Sequence, residues 1–303
     1  MVSAIGEGAY GPVARVDFHR TKYGPEILVD VAWVREMPTF LRFDPHRLTF
    51  YDILLVTSGR GWFWLDDCRW RVGPGRLFFT SPGQIRRWQV EGLDGLCLFF
   101  PSIFLEEFFQ DALLVHRLPY FHGPAAKASL QLATREATSL RRRLLAMRRE
   151  LHPVRPDSTH LLRAGLYEVL FTLARLNAAV RRPAVDRIPN RVVVRFRDLV
   201  ESEFPRCHMV ADYARRLAVS PGHLNVLCHR FLGRSAKGLV QDRLVLEARR
   251  LLLYSDEPAG RVGHLLGFKD PSYFTRFFRR ATGLPPTEFL RRRGASARPI
   301  EKS

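Results

Sequence analysis

The stretch that decides the fold runs Val210-Ala-Asp-Tyr-Ala-Arg-Arg-Leu217, then Ala218-Val-Ser220, then Pro221-Gly-His-Leu-Asn-Val-Leu-Cys-His-Arg-Phe231. Ser220 is a good N-cap, because its hydroxyl can accept from the free N–H groups of a helix start. Pro221 fits the first helical position, where its missing N–H costs nothing. Leu224, Leu227 and Phe231 recur at helical spacing and mark a buried face. Two short helices joined by three residues make a helix-turn-helix. The pattern then repeats. Asp270 caps, Pro271 opens, Phe274 and Phe277 line the apolar face, and Gly283 closes the segment as Gly233 closes the first. These pairs share an offset of fifty, while Leu217 matches Leu266 at forty-nine, because the second turn, Gly267-Phe-Lys269, holds one residue more. A paired match of this length outweighs the alternative of two amphipathic hairpins in an ordinary helical domain.

The second helix of such a unit enters the major groove with its first residues near base edges. In the first unit Gly222, Asn225, Val226 and His229 lie opposite the apolar face. Asn225 suits adenine through paired hydrogen bonds, and Val226 suits a thymine methyl. His229 is expected at a base edge, a phosphate or the rim of the groove. In the second unit Ser272, Thr275 and Arg276 take the groove-facing places, with Arg276 the best guanine reader. Lys269, Arg279 and Arg280 stand where they would meet phosphates and fix register. Between the units, Ala236 to Tyr254 reads as one helix of about eighteen residues, roughly 27 Å long. The two reading helices would then reach successive major grooves about 34 Å apart. Arg249 and Arg250 on the joining helix are expected to brace the DNA backbone. The alternative for all these bases is a solvated charged helix face.

The 303 residues suggest two domains, each large enough for its own core. With 46% hydrophobic and 26% charged residues, wholesale disorder is excluded. The net charge of +18 points to a polyanionic partner. From Asn190 onward, 22 Lys and Arg stand against 11 Asp and Glu, so the surplus concentrates in the helix-turn-helix part. Cys68, Cys97, Cys207 and Cys228 are scattered, which argues against a disulfide framework or a zinc site. No signal peptide and no run of about 18 apolar residues is visible, so a cytosolic location and no membrane partner are expected.

Residues 1–22, with Gly6, Gly8, Gly11 and Pro12, read as a flexible arm. From about 23 to 100 the chain is strand-like: Ile53-Leu-Leu-Val-Thr57, Gly61-Trp-Phe-Trp-Leu65 and Leu77-Phe-Phe-Thr80 alternate with turn signals at near-even spacing. That rhythm predicts a compact antiparallel sandwich or barrel. Helices follow over about 103–182, including one from about Lys127 to His152 and one near Ser158 to Arg181. The latter carries Leu162, Leu166, Val169 and Leu173 at steps of four and three, a stripe that suits either a partner helix in a homodimer or the helix's own sheet. Residues 183–190 read as a linker, 191–293 as the DNA-binding domain, and 294–303 as a flexible tail.

Arg243-Leu-x-x-Glu-Ala-x-x-Leu-Leu252, followed by Leu266-Gly-Phe-x-Asp-x-Ser-Tyr-Phe-x-Arg-x-Phe-x-Arg-x-x-Gly-x-x-Pro286, resembles the signature of AraC/XylS-type transcription regulators. The resemblance is tight over roughly Val193 to Arg293. Val262-Gly263 departs from a usual Ile-Ala pair, and Lys237 stands where proline is common. Gly263 is expected to weaken its helix by about 1 kcal/mol relative to Ala. Upstream, Ser58-Gly-x-Gly61 and the run from Gly73-Pro-Gly75 to Ser81-Pro-Gly83 resemble the cupin-like sensing domain of that family. The resemblance therefore implies an α+β chain of two domains. A cupin-like antiparallel β-barrel with dimerisation helices would precede an all-α domain of two helix-turn-helix units joined by a long helix. It also implies double-stranded DNA, a small-molecule effector and RNA polymerase as partners.

The rival reading is a cupin-type metal enzyme with an accessory nucleic-acid-binding domain. Such an enzyme needs two or three His and a carboxylate on inward strand faces. Here His46 stands alone, and Gln84-Ile-Arg-Arg-Trp88 occupies the turn where a ligand His would follow Pro82-Gly83. No nucleophile triad or phosphate loop is visible, so no catalytic residue, metal or cofactor is expected. Strand alternation puts Arg86 and Trp88 on one face with Arg87 opposite. In the resembling family the position of Arg86 commonly carries a histidine facing the cavity, which implies that Arg86 points inward. Trp62 and Trp64 are expected to extend the aromatic wall, and His46 to lie at its mouth. Two readings of Arg86 stand: a bidentate grip on a small anionic effector such as an aromatic carboxylate, or pairing with an internal carboxylate in a filled barrel.

Overall fold

The computed structural model describes residues 13–39, 41, 44–109, 114, 115, 118, 120, 121, 128–180, 190–255 and 257–297. The described residues divide into two compact units, one within 13–180 and the other within 190–297. The expected linker, apart from Asn190, lies outside the described residues, as do the first twelve residues of the expected arm. The rest of that arm is not all irregular: Ala14–Val16 is a strand.

In the first unit, β1 (Ala14–Val16), β2 (Asp30–Trp33), β3 (His46–Leu48), β4 (Tyr51–Leu65), β5 (Cys68–Val72), β6 (Arg76–Thr80), β7 (Ile85–Phe100) and β8 (Ser129–Gln131) form one sheet. β4 and β7 are its spine, antiparallel from Tyr51 opposite Phe100 to Leu65 opposite Arg86. Register shifts between Val56 and Arg60 break the spine at its middle, and bulges of this kind bend and twist a strand pair. Gly61 sits at this break with φ +151, and a Cβ there would lie 2.1 Å from the Gln89 carbonyl oxygen. Only glycine fits so close an approach. β2 and β6 flank one end of the spine, and β3 and β5 the other.

The sheet consequently has an inner and an outer core. Leu54, Val56, Phe63, Leu65, Phe78, Trp88 and Cys97, drawn from both ends of the spine, pack together inside. Ile53, Leu55, Leu77, Phe79, Leu96 and Leu98 face the other way, under the helices. Period-two alternation along β4 makes this division, since neighbours in a strand point to opposite faces. Each fully buried side chain of this size stabilises the fold by about 1.5–3 kcal/mol relative to exposure.

The covering helices are α1 (Ile103–Phe109), α2 (Thr134–Glu150) and α3 (Ser158–Val180). α2 starts later than its leucine spacing predicts, because Leu130 pairs across from Leu77 and makes Ser129–Gln131 a strand. The expected dimer stripe is corrected here. Leu162, Leu166, Val169 and Leu173 are all fully buried in the outer core. Their face of α3 covers its own domain, so it is not available to a partner helix.

The second unit is all helical: α4 (Arg191–Glu203), α5 (Val210–Arg216), α6 (Pro221–Leu232), α7 (Ala236–Tyr254), α8 (Ala259–Leu265), α9 (Pro271–Thr282) and α10 (Pro286–Ala297). Asn190 caps α4 by accepting from the Val192 N–H, and α10 continues past the expected end at Arg293. α7 packs against every other helix of the unit. Across the second turn, His208 Nε2 donates to the Leu266 carbonyl at 2.8 Å, tying the loop before α5 to the turn between α8 and α9. Gly263 has a packing reason beyond propensity: a Cβ there would meet Phe274 at 3.0–3.2 Å.

Candidate DNA-reading helices and effector cleft

α6 and α9 begin alike. Ser220 Oγ accepts from the His223 N–H and Asp270 Oδ1 from the Ser272 N–H, and each is followed by proline at the helix start. Both helices end in a left-handed glycine, Gly233 at φ 69 and Gly283 at φ 80. Leu224, Leu227 and Cys228 bury one side of α6, and Phe274 and Phe278 one side of α9. Phe277 is only partly covered, its ring tilted against that of Phe268.

The exposed sides correspond position by position. On α6 they present Gly222, His223, Val226, His229 and Arg230, and on α9 Ser272, Tyr273, Arg276, Arg279 and Arg280. Val226 is 61% exposed and Tyr273 57% exposed, unusual for large apolar side chains without a partner. Thr275 is exposed too, although its hydroxyl donates back to the Pro271 carbonyl. Arg276 lies 3.9 Å from Asp270, a loose surface pair that leaves it accessible. His223 and Tyr273 escaped the sequence reading. Their signal was present, since both are the third residue of a capped recognition helix and stand fifty apart.

Two expected contacts are corrected. Asn225 is half-buried, and its Oδ1 accepts from the Ala236 N–H at 3.2 Å. It therefore satisfies the start of α7 instead of facing a base. Arg250 is buried, with Nη1 bonded to Glu247 Oε2 at 3.3 Å. Arg243 donates to the same Glu247 oxygen and to Glu201, with its guanidinium 3.9 Å over the Phe204 ring. This network locks α7 to α4, and Arg250 cannot reach a phosphate from it. Arg249 is half-buried on the neighbouring side of α7. Lys269, Arg279 and Arg280 are exposed around α9.

In the sheet domain, Arg86 points inward and is 3% exposed. Its Nη1 is ion-paired with Asp52, and its Nε donates to His46 Nε2 at 2.7 Å. His46 is not at a mouth but fully buried behind Arg86, with Nδ1 donating to the Asp44 carbonyl. Burial, with the Arg86 charge added, lowers its pKa to about 3, so the ring is neutral. Burial also raises the Asp52 carboxyl, against the pull of Arg86. Asp52 Oδ1 and Thr80 Oγ1, opposite one another on β4 and β6, have no protein partner among the described residues.

A narrow cleft opens beside Arg86, lined further by Val34, Met37, Leu41, Leu54, Trp88, Leu93 and Cys97. About 250 Å³ lies between these residues when the open solvent at the mouth is counted, and the closed part is about the size of one water. Trp88 forms one wall and stacks on Phe63 at 3.9 Å. Trp62 and Trp64 do not extend that wall. Phe63 pairs with Trp88 across the spine, so its neighbours face the other way. Trp62 lies under Arg69 and Arg71, and Trp64 under Arg87. Among the described residues no group of three or more His, Cys, Asp or Glu is placed to hold a metal ion. None of their helices is long and apolar enough to cross a membrane.

Comparison with known proteins matches residues 213–292 to the family described as "Helix-turn-helix domain" and residues 29–170 to "AraC-like ligand binding domain". The arabinose operon regulatory protein of Salmonella typhimurium is 30% identical over 133 residues, which are 43% of this chain and 46% of that protein. The transcriptional activator RhaR of Pectobacterium carotovorum is 22% identical over 264 residues, 82% of this chain and 87% of that protein. The structure of ToxT from Vibrio cholerae aligns with 14% identity and a TM-score of 0.38, covering 86% of this chain and 97% of that one. The chain thus spans about half the length of the arabinose regulator it matches. With a ligand-binding region followed by a doubled helix-turn-helix, the chain belongs to the AraC family of transcription regulators, which is not a family of enzymes.

Proposed function

We propose that this protein binds a specific duplex DNA sequence through α6 and α9, and that a small molecule held in the N-terminal sheet changes that binding or the transcription that follows. The observation that carries this reading is the matched pair of capped helices with exposed reading sides, both seated on α7. Val226, His229, Ser272, Thr275 and Arg276 are the proposed base contacts, with His223 and Tyr273 added. Lys269, Arg279, Arg280 and Arg249 are the proposed phosphate contacts. Because the two reading helices differ in sequence, each bound site is itself non-palindromic. Selection from random DNA should enrich one bipartite motif, with affinity falling steeply as salt rises. A selection that enriches nothing refutes the reading.

The protein acts in this reading as a cytoplasmic homodimer that contacts RNA polymerase. The dimer surface is not the leucine stripe but the other side of α1 and α3. There Phe108, Phe109, Tyr167 and Phe171 form a ladder of ring contacts at 4.5–5.1 Å, and Leu161 of α3 is exposed. Sedimentation should give a dimer for the wild type and a monomer for Phe108→Glu with Leu161→Glu. An unchanged mass removes this surface.

A further inference from the structure

The cleft in the sheet domain has an unusual electrostatic balance. Its one charged lining residue, Arg86, is already neutralised by Asp52, and both are almost wholly buried. The neighbouring His46 contributes no charge, because Nδ1 is held by the Asp44 carbonyl and Nε2 accepts from Arg86. One carboxylate acceptor is also left over beside it: Asp52 Oδ1 has no protein donor among the described residues. With Nε and Nη1 of Arg86 engaged, Nη2 is the remaining edge of a guanidinium that borders the cleft. The rest of the lining is aliphatic, thioether or thiol, closed on one side by the Trp88 indole.

We infer that the effector is a small, uncharged, largely apolar molecule with one acceptor oxygen, which takes a hydrogen bond from Arg86 Nη2 and lies against Trp88. The inference rests on the reading of the sheet domain as the effector-binding part. A carboxylate in this cleft would be the second anion beside a single guanidinium, with an underpaired Asp52 already present. Burying such an ion without its own counter-charge is strongly unfavourable. An ammonium would meet Arg86 itself. A carbonyl or ether oxygen needs only the free edge of Arg86, while its apolar body replaces water against Leu54, Leu93 and Met37. The closed space beside Arg86 is about that of one water, so the ligand is limited to about one ring or a short chain, seated as Met37 and Leu93 give way.

The test uses the full chain and three probes of similar size: acetophenone, benzoate and benzylamine. All five tryptophans lie before residue 89, so indole fluorescence reports the sheet domain alone. Acetophenone should quench it saturably and raise its unfolding midpoint, with benzoate and benzylamine at least about tenfold weaker, as expected for burying an uncompensated ion. Asp52→Asn, which frees the Arg86 charge, should reverse the order and favour benzoate. Should that variant fail to fold, the wild-type order alone decides. Benzoate binding as tightly as acetophenone overturns the uncharged class and leaves the effector-binding reading standing. If no probe binds, and Leu93→Trp, which fills the cleft, leaves DNA affinity and the response of DNA binding to host-cell small-molecule extract unchanged, the inference falls and the effector-binding reading falls with it.

Discussion

The turn between α8 and α9 is where a single methyl group should do the most damage. Gly267 has φ +80, and a Cβ on it would stand 2.1 Å from the Pro205 carbonyl oxygen and 3.4 Å from His208 Nε2. Gly267→Ala therefore incurs about 1–2 kcal/mol for placing an L side chain in the left-handed region. It must also push two backbone segments apart by more than an ångström, which breaks the His208–Leu266 hydrogen bond at a further cost of about 1 kcal/mol. The expected loss is about 3 kcal/mol, or a fall of roughly 1.5 M in urea midpoint at a slope near 2 kcal/mol per molar. The first helix-turn-helix supplies the control. Ala218 holds the matching place at φ 54, so Ala218→Gly relieves a left-handed alanine while adding freedom to the unfolded chain. It should change stability by less than about 0.5 kcal/mol. Far-UV circular dichroism sees both domains, whereas indole fluorescence sees only the first, because no tryptophan follows Trp88. The Gly267→Ala transition should shift by dichroism and not by fluorescence. DNA affinity should fall for the bipartite site more than for either half of it. A loss below about 1 kcal/mol would show that the Pro205 contact yields freely, and the steric reasoning would be wrong.

Arg276→Ala should cost about 1–3 kcal/mol on the preferred DNA and relax selectivity at one base pair, whereas Arg280→Ala should weaken all sequences alike and lower the salt slope by about one; competition binding against a panel of single-base variants separates the two. His46 has a folded-state pKa of about 3 against an ordinary 6.5, so the unfolded chain takes up a proton that the folded one refuses. Stability of the sheet domain should be complete above the ordinary value and fall as pH drops below it, by up to about 1.4 kcal/mol per unit. Urea titrations read by indole fluorescence should show this slope in the wild type and lose it in His46→Gln. Leu166→Ala should cost about 2–5 kcal/mol as a cavity in the outer core, read from the urea midpoint of the indole fluorescence transition.

What the sequence disclosed follows the range of the interactions involved. The caps at Ser220 and Asp270, the closing glycines and the helical spacing between them are contacts within four residues, and all are legible in one dimension. The doubling made them specific. The role of Asn225 is not legible locally, because its partner, Ala236, lies eleven positions on, in the next helix. For Trp62 and Trp64, alternation fixes which residues share a side but not which side meets Trp88. Only the cross-strand register, Phe63 opposite Trp88, decides that. The Leu162/Leu166/Val169/Leu173 stripe shows that a surface must be buried without saying against what. Both readings of Arg86 were open for the same reason: Asp52 is thirty-four residues away.

α7 joins the two helix-turn-helix units mechanically. A spacer helix between two reading helices is useful only if it does not bend or slide. Its apolar contacts alone would resist sliding weakly, since Leu and Val faces can repack at modest cost. The Glu247 carboxylate, shared by Arg243 and Arg250 and linked through Arg243 to Glu201 on α4, accepts only one register. Buried ion networks of this kind add little net stability, because desolvation offsets their attraction, but each alternative arrangement leaves a charge unpaired. At the other end of the unit, the Gly267 turn against Pro205 and the His208–Leu266 bond hold the second reading helix to the first helix-turn-helix directly. α6 and α9 are thus fixed through two separate routes, one along α7 and one across the turn. If α6 and α9 read DNA as proposed, a pair held this way measures the spacing between two subsites as well as their sequence.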